Sequence, residues 1–164
     1  MTWPNSLKLI YFGYNFNQKI ENVTWPNLLE SITFGSNFNQ EIEKIEWPDS
    51  LQSITFINYR FNQKIENIKW PSSLKYLTLG NNFNQKIENI KWPDLLHSIT
   101  FGNKFDQPLD FMPESLTTIH IRNPLYEHTL CNLPSSIKKI ILHKKLVNKD
   151  IIPSELQNKV TYVY

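Results

Sequence analysis

Four histidines, one cysteine and a C-terminal group of lysines are the side chains in this sequence best suited to chemistry. An imidazole can move a proton or hold a metal, and a thiolate can attack or ligate, but each needs partners at a fixed spacing. None of those spacings is present. The histidines stand at 97, 120, 128 and 143 with no third ligand beside them in a zinc pattern. No phosphate loop, nucleophile motif or dinucleotide fingerprint occurs. Cys131 is alone, so it closes no internal disulfide. With no motif around it, Cys131 reads as a small buried filler in a protein of a reducing compartment. The cations are a different matter. Arg122, Lys138, Lys139, His143 and Lys144, with Lys145 and Lys149 beside them, form the one concentrated charge patch. Residues 1–110 carry 10 basic and 11 acidic side chains, net −1, whereas residues 111–164 carry 7 and 4, net +3. Such a patch can take an anionic partner or nucleic acid, or can simply keep a C-terminal face soluble and unstacked. The whole chain carries only +2, which makes nucleic acid the least favoured of these. No catalytic, cofactor or metal site follows, and the chain reads as a non-enzyme.

The elements that must position these groups come from a repeat. Trp-Pro occurs at 3–4, 25–26, 47–48, 70–71 and 92–93, in steps of 22, 22, 23 and 22. Phe-Asn-Gln follows at 16–18, 38–40, 61–63 and 83–85, then as Phe-Asp-Gln at 105–107. Looser units start at Met112, Leu133 and Ile152. The whole of 1–164 is therefore a single solenoid of about seven full repeats plus a truncated eighth.

Within a unit, Leu7-x-x-Ile10-x-Phe12-x-x-Asn15 has the spacing of a leucine-rich repeat. The alternation Ile10, Phe12 predicts a short strand with one buried face. Asn15, Asn37 and Asn82 occupy the place where such a repeat buries an Asn to bond the backbone of neighbouring turns. A period of about 22 leaves no room for a full helix on the way back, so the return path is expected to be a 3₁₀ turn or extended chain. Composition agrees. The sequence has no alanine, the best helix former, against 19 Ile and 10 Phe. The fold class is a β-rich, leucine-rich-repeat-like solenoid with one short parallel strand per unit and little or no α-helix.

The Phe-Asn-Gln-x-Ile run, followed by a Pro-x-Ser-Leu-x-x-Leu segment, resembles the FNIP repeat, a relative of leucine-rich repeats found in giant viruses of amoebae and in slime moulds. The resemblance is specific at Phe16-Asn17-Gln18, Phe38-Asn39-Gln40, Phe61-Asn62-Gln63 and Phe83-Asn84-Gln85. The proline that usually follows the Gln survives only at Pro108, and Trp stands where Leu is common before the turn proline. Family members often carry an F-box ahead of the repeats, which implies substrate choice for ubiquitin ligases; here only Met1 and Thr2 precede Trp3.

Aligned units give columns. The inward ones are the Trp series, Leu7 and Ile10 with their equivalents, Phe12 and its equivalents, and Phe16, Phe38, Phe61, Phe83, Phe105, Leu125 and Leu146. At one per unit, these aromatics read as core. The outward strand positions, the concave face of a leucine-rich repeat, are Tyr11, Ser31, Thr33, Ser53, Thr55, Tyr76, Thr78, Ser98, Thr100 and His120. They are the candidate binding face, with Thr pairing across strands as the alternative, purely structural reason for them. His120 and His143 fall on adjacent strands facing the same way. Glu21, Glu43, Glu66, Glu88 and Asp110 form one file on the return side, relieved by Lys19, Lys64 and Lys86 and not arranged for calcium. An uncapped first unit leaves an apolar edge open to a second copy or a partner. The expected protein is a non-catalytic protein–protein interaction module. The alternative is a structural role through open edges, and nucleic-acid binding through the basic patch ranks third. It requires no cofactor. No signal or membrane segment is present in MTWPNSLKL or beyond, so a cytoplasmic location is expected, that of the host if the chain is viral.

Overall fold

The computed structural model describes residues 3–57 and 59–163. Met1 and Thr2, at the head of the expected array, and Tyr164, the last residue of its expected final strand, lie outside them. One sheet of eight parallel strands runs in sequence order. The strands are β1 Leu9–Tyr11, β2 Ser31–Phe34, β3 Ser53–Phe56, β4 Tyr76–Thr78, β5 Ser98–Phe101, β6 Thr118–Ile121, β7 Lys139–His143 and β8 Val160–Val163. Equivalent residues face each other in register: Ile10 pairs with Ile32, Ile32 with Ile54, Ile54 with Leu77, and so on to Ile140 with Val160. The expected solenoid is therefore what forms.

Each coil closes through turns. The proline that opens a unit cannot donate, but its carbonyl accepts the amide three residues on, as in Leu29 N–H to Pro26 at 3.1 Å and Leu116 N–H to Pro113 at 3.0 Å. A second turn links Gly13 to Phe16 and its equivalents, and a third links Ile20 to Val23. Between these turns the described return path forms neither helix nor strand. Among the described residues the 3₁₀ alternative appears only at Ser154–Lys159, just ahead of β8.

The core fills this cross-section with one large side chain per position. Phe34, Phe38, Phe56 and Phe61 form paired stacks, Phe34 on Phe38 at 4.3 Å and Phe56 on Phe61 at 3.8 Å. The Trp column stacks alongside, Trp25 on Trp47 at 5.9 Å. The five indole N–H groups are buried with no acceptor among the described residues. That costs about 1–3 kcal/mol each, against some 150–250 Å² of ring surface that each column member can bury.

Two core assignments need correction. Leu125 does not continue the Phe column; it is 63% exposed, and Tyr126 takes the place, stacked on Phe105 at 6.2 Å. From Ile121 to Tyr126 the chain has five residues, as it has from Phe56 to Phe61, against four from Phe12 to Phe16. The extra residue is absorbed at buried Asn123, whose Oδ1 accepts the Leu125 amide while its Nδ2 donates to the Phe105 carbonyl. Cys131 is exposed and is no core filler, because it sits in the turn after buried Leu130.

The glycine after the strand has a packing reason. A Cβ on Gly35 would lie inside the van der Waals radius of the Gly13 carbonyl, and one on Gly102 would meet the Gly80–Asn81 backbone. Consecutive coils touch there through main chain alone.

Candidate functional site

Two polar surfaces flank the core, and they use their side chains differently. On the return side the Phe-Asn-Gln motif is consumed in holding coils together. Asn17 Oδ1 accepts the backbone N–H of Asn39, Asn39 that of Asn62, Asn62 that of Asn84, and Asn84 that of Asp106, all at 2.9–3.0 Å. Gln40 Nε2 donates to Asn17 and Gln63 Nε2 to Asn39, each reaching both the carbonyl and Oδ1. The ladder ends in variants of the same chemistry: Asp106 Oδ1 accepts Glu127 N–H at 3.2 Å, and His128 Nε2 lies 3.2 Å from the Asp106 carbonyl. Burial and the nearby carboxylates Asp106 and Asp110 push the Tyr126 phenol well above its ordinary range, so it stays neutral and donates to the Gln107 carbonyl at 3.0 Å. Serines ahead of the strand do likewise; Ser50, Ser115 and Ser136 donate to the Leu29, Leu96 and Leu116 carbonyls. The asparagine inside Phe-Asn-Gln thus holds the longest ladder. In the Asn15 column, where a buried Asn was expected to bond the backbone of a neighbouring turn, Asn82 Nδ2 does donate to the Tyr59 carbonyl, but from an exposed position, and Asn15 and Asn37 instead bond each other at 2.9 Å.

The charge file also lies on this side. Lys64 pairs with Glu66 at 3.8 Å and Lys86 with Glu88 at 3.5 Å, the relief expected of it. A polar groove of about 650 Å³ runs along the corner between coils, bounded by Glu21, Thr24, Trp25, Lys44, Glu46 and Trp47.

The outward face of the sheet is the contrasting surface. Strand alternation turns Ile32 and Phe34 inward and leaves Ser31 and Thr33 half-exposed, and β3 and β5 repeat the pattern. Thr33, Thr55, Thr78 and Thr100 are neighbours in one register line, with Tyr11 before them and His120 after. Among the described residues the hydroxyls of Ser31, Thr33, Ser53, Thr55, Thr78, Ser98 and Thr100 make no hydrogen bond within the chain. Tyr11 and Tyr76 stand out at 72% and 50% exposure. The candidate concave residues are therefore brought together on one continuous face.

The face changes character toward the C-terminus. Lys139 lies beside Thr118 in register, Lys138 precedes it, and Lys159 immediately precedes Val160, the partner of Ile140. Arg122 follows β6 and His143 ends β7, where His143 Nδ1 accepts the Lys145 amide at 3.1 Å. Lys144 follows His143 at the strand end, its amide donating to the Val163 carbonyl at 2.7 Å. His120 is held down to about 4 by burial and by the Arg122 charge, so it is neutral at pH 7. It faces Thr100 and Ile141 across the strands, and His143 faces Val163. Among the described residues no three His, Cys, Asp or Glu side chains converge as metal ligands. Likewise, no described helix is long and apolar enough to cross a membrane.

Sequence reasoning missed the Asn17 ladder and Tyr126. Both were in reach: Tyr126-Glu127-His128 carries an aromatic, a carboxylate and a side-chain donor in the order of Phe-Asn-Gln.

Comparison with known proteins agrees with this architecture. No curated protein matches the chain. Among solved structures it is similar to CroV588, described as a novel circular LRR protein, at 33% identity and a TM-score of 0.64. That match covers 92% of this chain and 26% of the other, so this chain spans about a quarter of its length. The FNIP repeat model matches five times, at residues 2–37, 16–59, 38–82, 61–104 and 83–123. Overlapping matches across most of the sequence, centred on the motif that builds the hydrogen-bond ladder, mean that the chain belongs to the FNIP repeat family.

Proposed function

We propose that this solenoid is a non-catalytic scaffold that holds a protein partner on the outward face of its sheet. The observation that supports this best is the contrast in hydrogen-bond use. Return-side Asn, Gln and Ser side chains are spent on adjacent coils, while the strand-face hydroxyls are free to bind something else. A hydroxyl is both donor and acceptor, and a file of them at strand spacing, about 4.8 Å, matches main-chain or polar side-chain groups of a second protein. Leucine-rich-repeat folds commonly serve as interaction scaffolds of this kind. The lone exposed thiol of Cys131 fits work in a reducing cytoplasm.

The test is affinity capture with the chain and with Thr33→Lys/Thr55→Lys/Thr78→Lys, followed by titration of any captured protein. The reading expects saturable binding that the triple variant loses and that Lys64→Glu/Lys86→Glu, on the return side, keeps. Absence of any saturable partner, or equal binding by the strand-face variant, overturns it.

A second reading, association of copies through β1, has its own support. Among the described residues β1 pairs with β2 alone, and Leu9 (68%), Tyr11 (72%) and Tyr14 (64%) are exposed there. A molar mass by light scattering that stays monomeric up to millimolar concentration removes it.

A further inference from the structure

The two halves of the strand face differ in charge. Over β1–β4 the lysines have side-chain partners: Lys8 Nζ meets the Glu30 carboxylate at 2.7 Å, and Lys75 Nζ donates to the neutral Gln52 amide at 3.2 Å. Over β6–β8 they are not. Arg122, Lys138, Lys139 and Lys159 join no ion pair among the described residues, and no Asp or Glu occupies an outward position of these strands.

Their placement is ordered. Lys138, Lys139 and Lys159 gather at the start of β7 and β8, and Arg122 stands at the far end, level with His143. Lys139 and His143 are four residue steps apart on β7, roughly 13 Å at about 3.3 Å per residue. Between these two cationic poles lie uncharged groups: half-buried Ile141, exposed Thr161 and His120, which is neutral at pH 7. The surface is positive, small-residue or aliphatic, then positive again.

Resting on the scaffold reading above, we propose that the β6–β8 end of the strand face docks an extended acidic segment of a partner protein, with carboxylates on residues i and i+4 meeting the two poles and a small apolar residue over Ile141. An extended chain carries residues i and i+4 about 13 Å apart, the span between the poles. Exposed cations facing complementary acids steer association and set register. A nucleic-acid strand fits less well. Single strands are held by bases stacked on aromatic rings, and the outward neighbours of these cations are Thr118, Ile141, Thr161 and the imidazoles of His120 and His143, with no Phe, Tyr or Trp in those outward positions. Tyr162 aligns with the core residue Leu142 and lies under Lys149 at 5.3 Å.

The probes are three fluorescein-labelled ligands: an eight-residue peptide with Glu at positions 2 and 6 and Val at position 4, its Gln counterpart, and a deoxythymidine oligomer. Anisotropy titrations at 50 and 300 mM salt should show the Glu peptide bound and weakened by salt, with the Gln peptide at least about tenfold weaker. Lys138→Glu/Lys139→Glu and, separately, Arg122→Ser should each weaken the Glu peptide by about tenfold or more. Lys64→Glu/Lys86→Glu, the same change in net charge on the return side, should leave it unaltered, with circular dichroism showing every variant folded. No binding of the Glu peptide, equal loss in the return-side variant, or tighter binding of the oligomer overturns the proposal. If captured protein still binds Lys138→Glu/Lys139→Glu but not the Thr33/Thr55/Thr78 variant, this proposal fails alone; if it binds both, the scaffold reading fails with it.

Discussion

Asn62 and Thr55 belong to the same coil, and each stands in a column repeated along the stack. Asn62 Oδ1 takes the amide of Asn84 in the next coil and its own amide is taken by Asn39 in the one before, so it is bonded along the axis in both directions. Thr55 lies between Thr33 and Thr78 in strand register, and its hydroxyl has no hydrogen-bond partner among the described residues. Repetition therefore has two causes in one molecule. On the return side a residue recurs because its neighbours need it there. On the strand face it recurs because a branched hydroxylated side chain suits a pleated surface, and its polar atoms remain available.

Several substitutions probe that contrast, from the core that both faces share outward to the idle hydroxyls. Phe61→Ala removes a ring stacked on Phe56 at 3.8 Å and lying 6.3 and 6.2 Å from Phe38 and Phe83. It should cost about 3–5 kcal/mol in urea unfolding, since neither coil can collapse into the space. Asn62→Ala should cost about 0.5–1.5 kcal/mol, because the exposed amide of Asn84 exchanges a fixed side-chain acceptor for water. A neutral result there would erase the distinction between the faces.

The pH dependence of His120 gives a smaller effect on the strand side. Its folded value is lowered to about 4 from 6.5, so the unfolded chain binds more protons between those limits. Stability contributed by the neutral imidazole is complete above pH 6.5 and is lost as the pH falls toward 4. Half exposure reduces the size of the effect. Thermal melts from pH 7 to 4 should flatten in His120→Gln relative to the parent. Thr55→Val should leave stability within about 0.5 kcal/mol while weakening any partner held through that hydroxyl. A larger loss of stability would mean that the strand face, too, is bound up in the fold.

The strands and most of the core were readable because a buried position in a short-period coil admits few residue types. Leu7-x-x-Ile10-x-Phe12 states the inward side directly. The unit lengths were readable as well, except where a corner takes in an extra residue: Asn123 and Pro124 shift the aromatic column from Leu125 to Tyr126, which apolar pattern alone does not distinguish. The function of Asn17 was hidden for another reason. Asparagine occurs twice near several corners, as at 15 and 17, and only the path of the return chain decides which one meets the next coil's amide. Cys131 was misplaced because its small size suits a core as well as a turn. The candidate face could be located from the alternation, but its free hydroxyls and the two poles near Ile141 emerge only when hydrogen bonds are counted in three dimensions.

The asparagine ladder has a direction: each acceptor belongs to the earlier coil and each donor to the later one, from Asn17 to Glu127. A ribosome releases the earlier coil first. As Asn39 emerges, the carboxamide that will take its amide has already been synthesised, and the same holds for Asn62, Asn84 and Asp106 in turn. Each new coil can dock on a finished template without waiting for sequence still to come, which favours growth from the N-terminal end as translation proceeds.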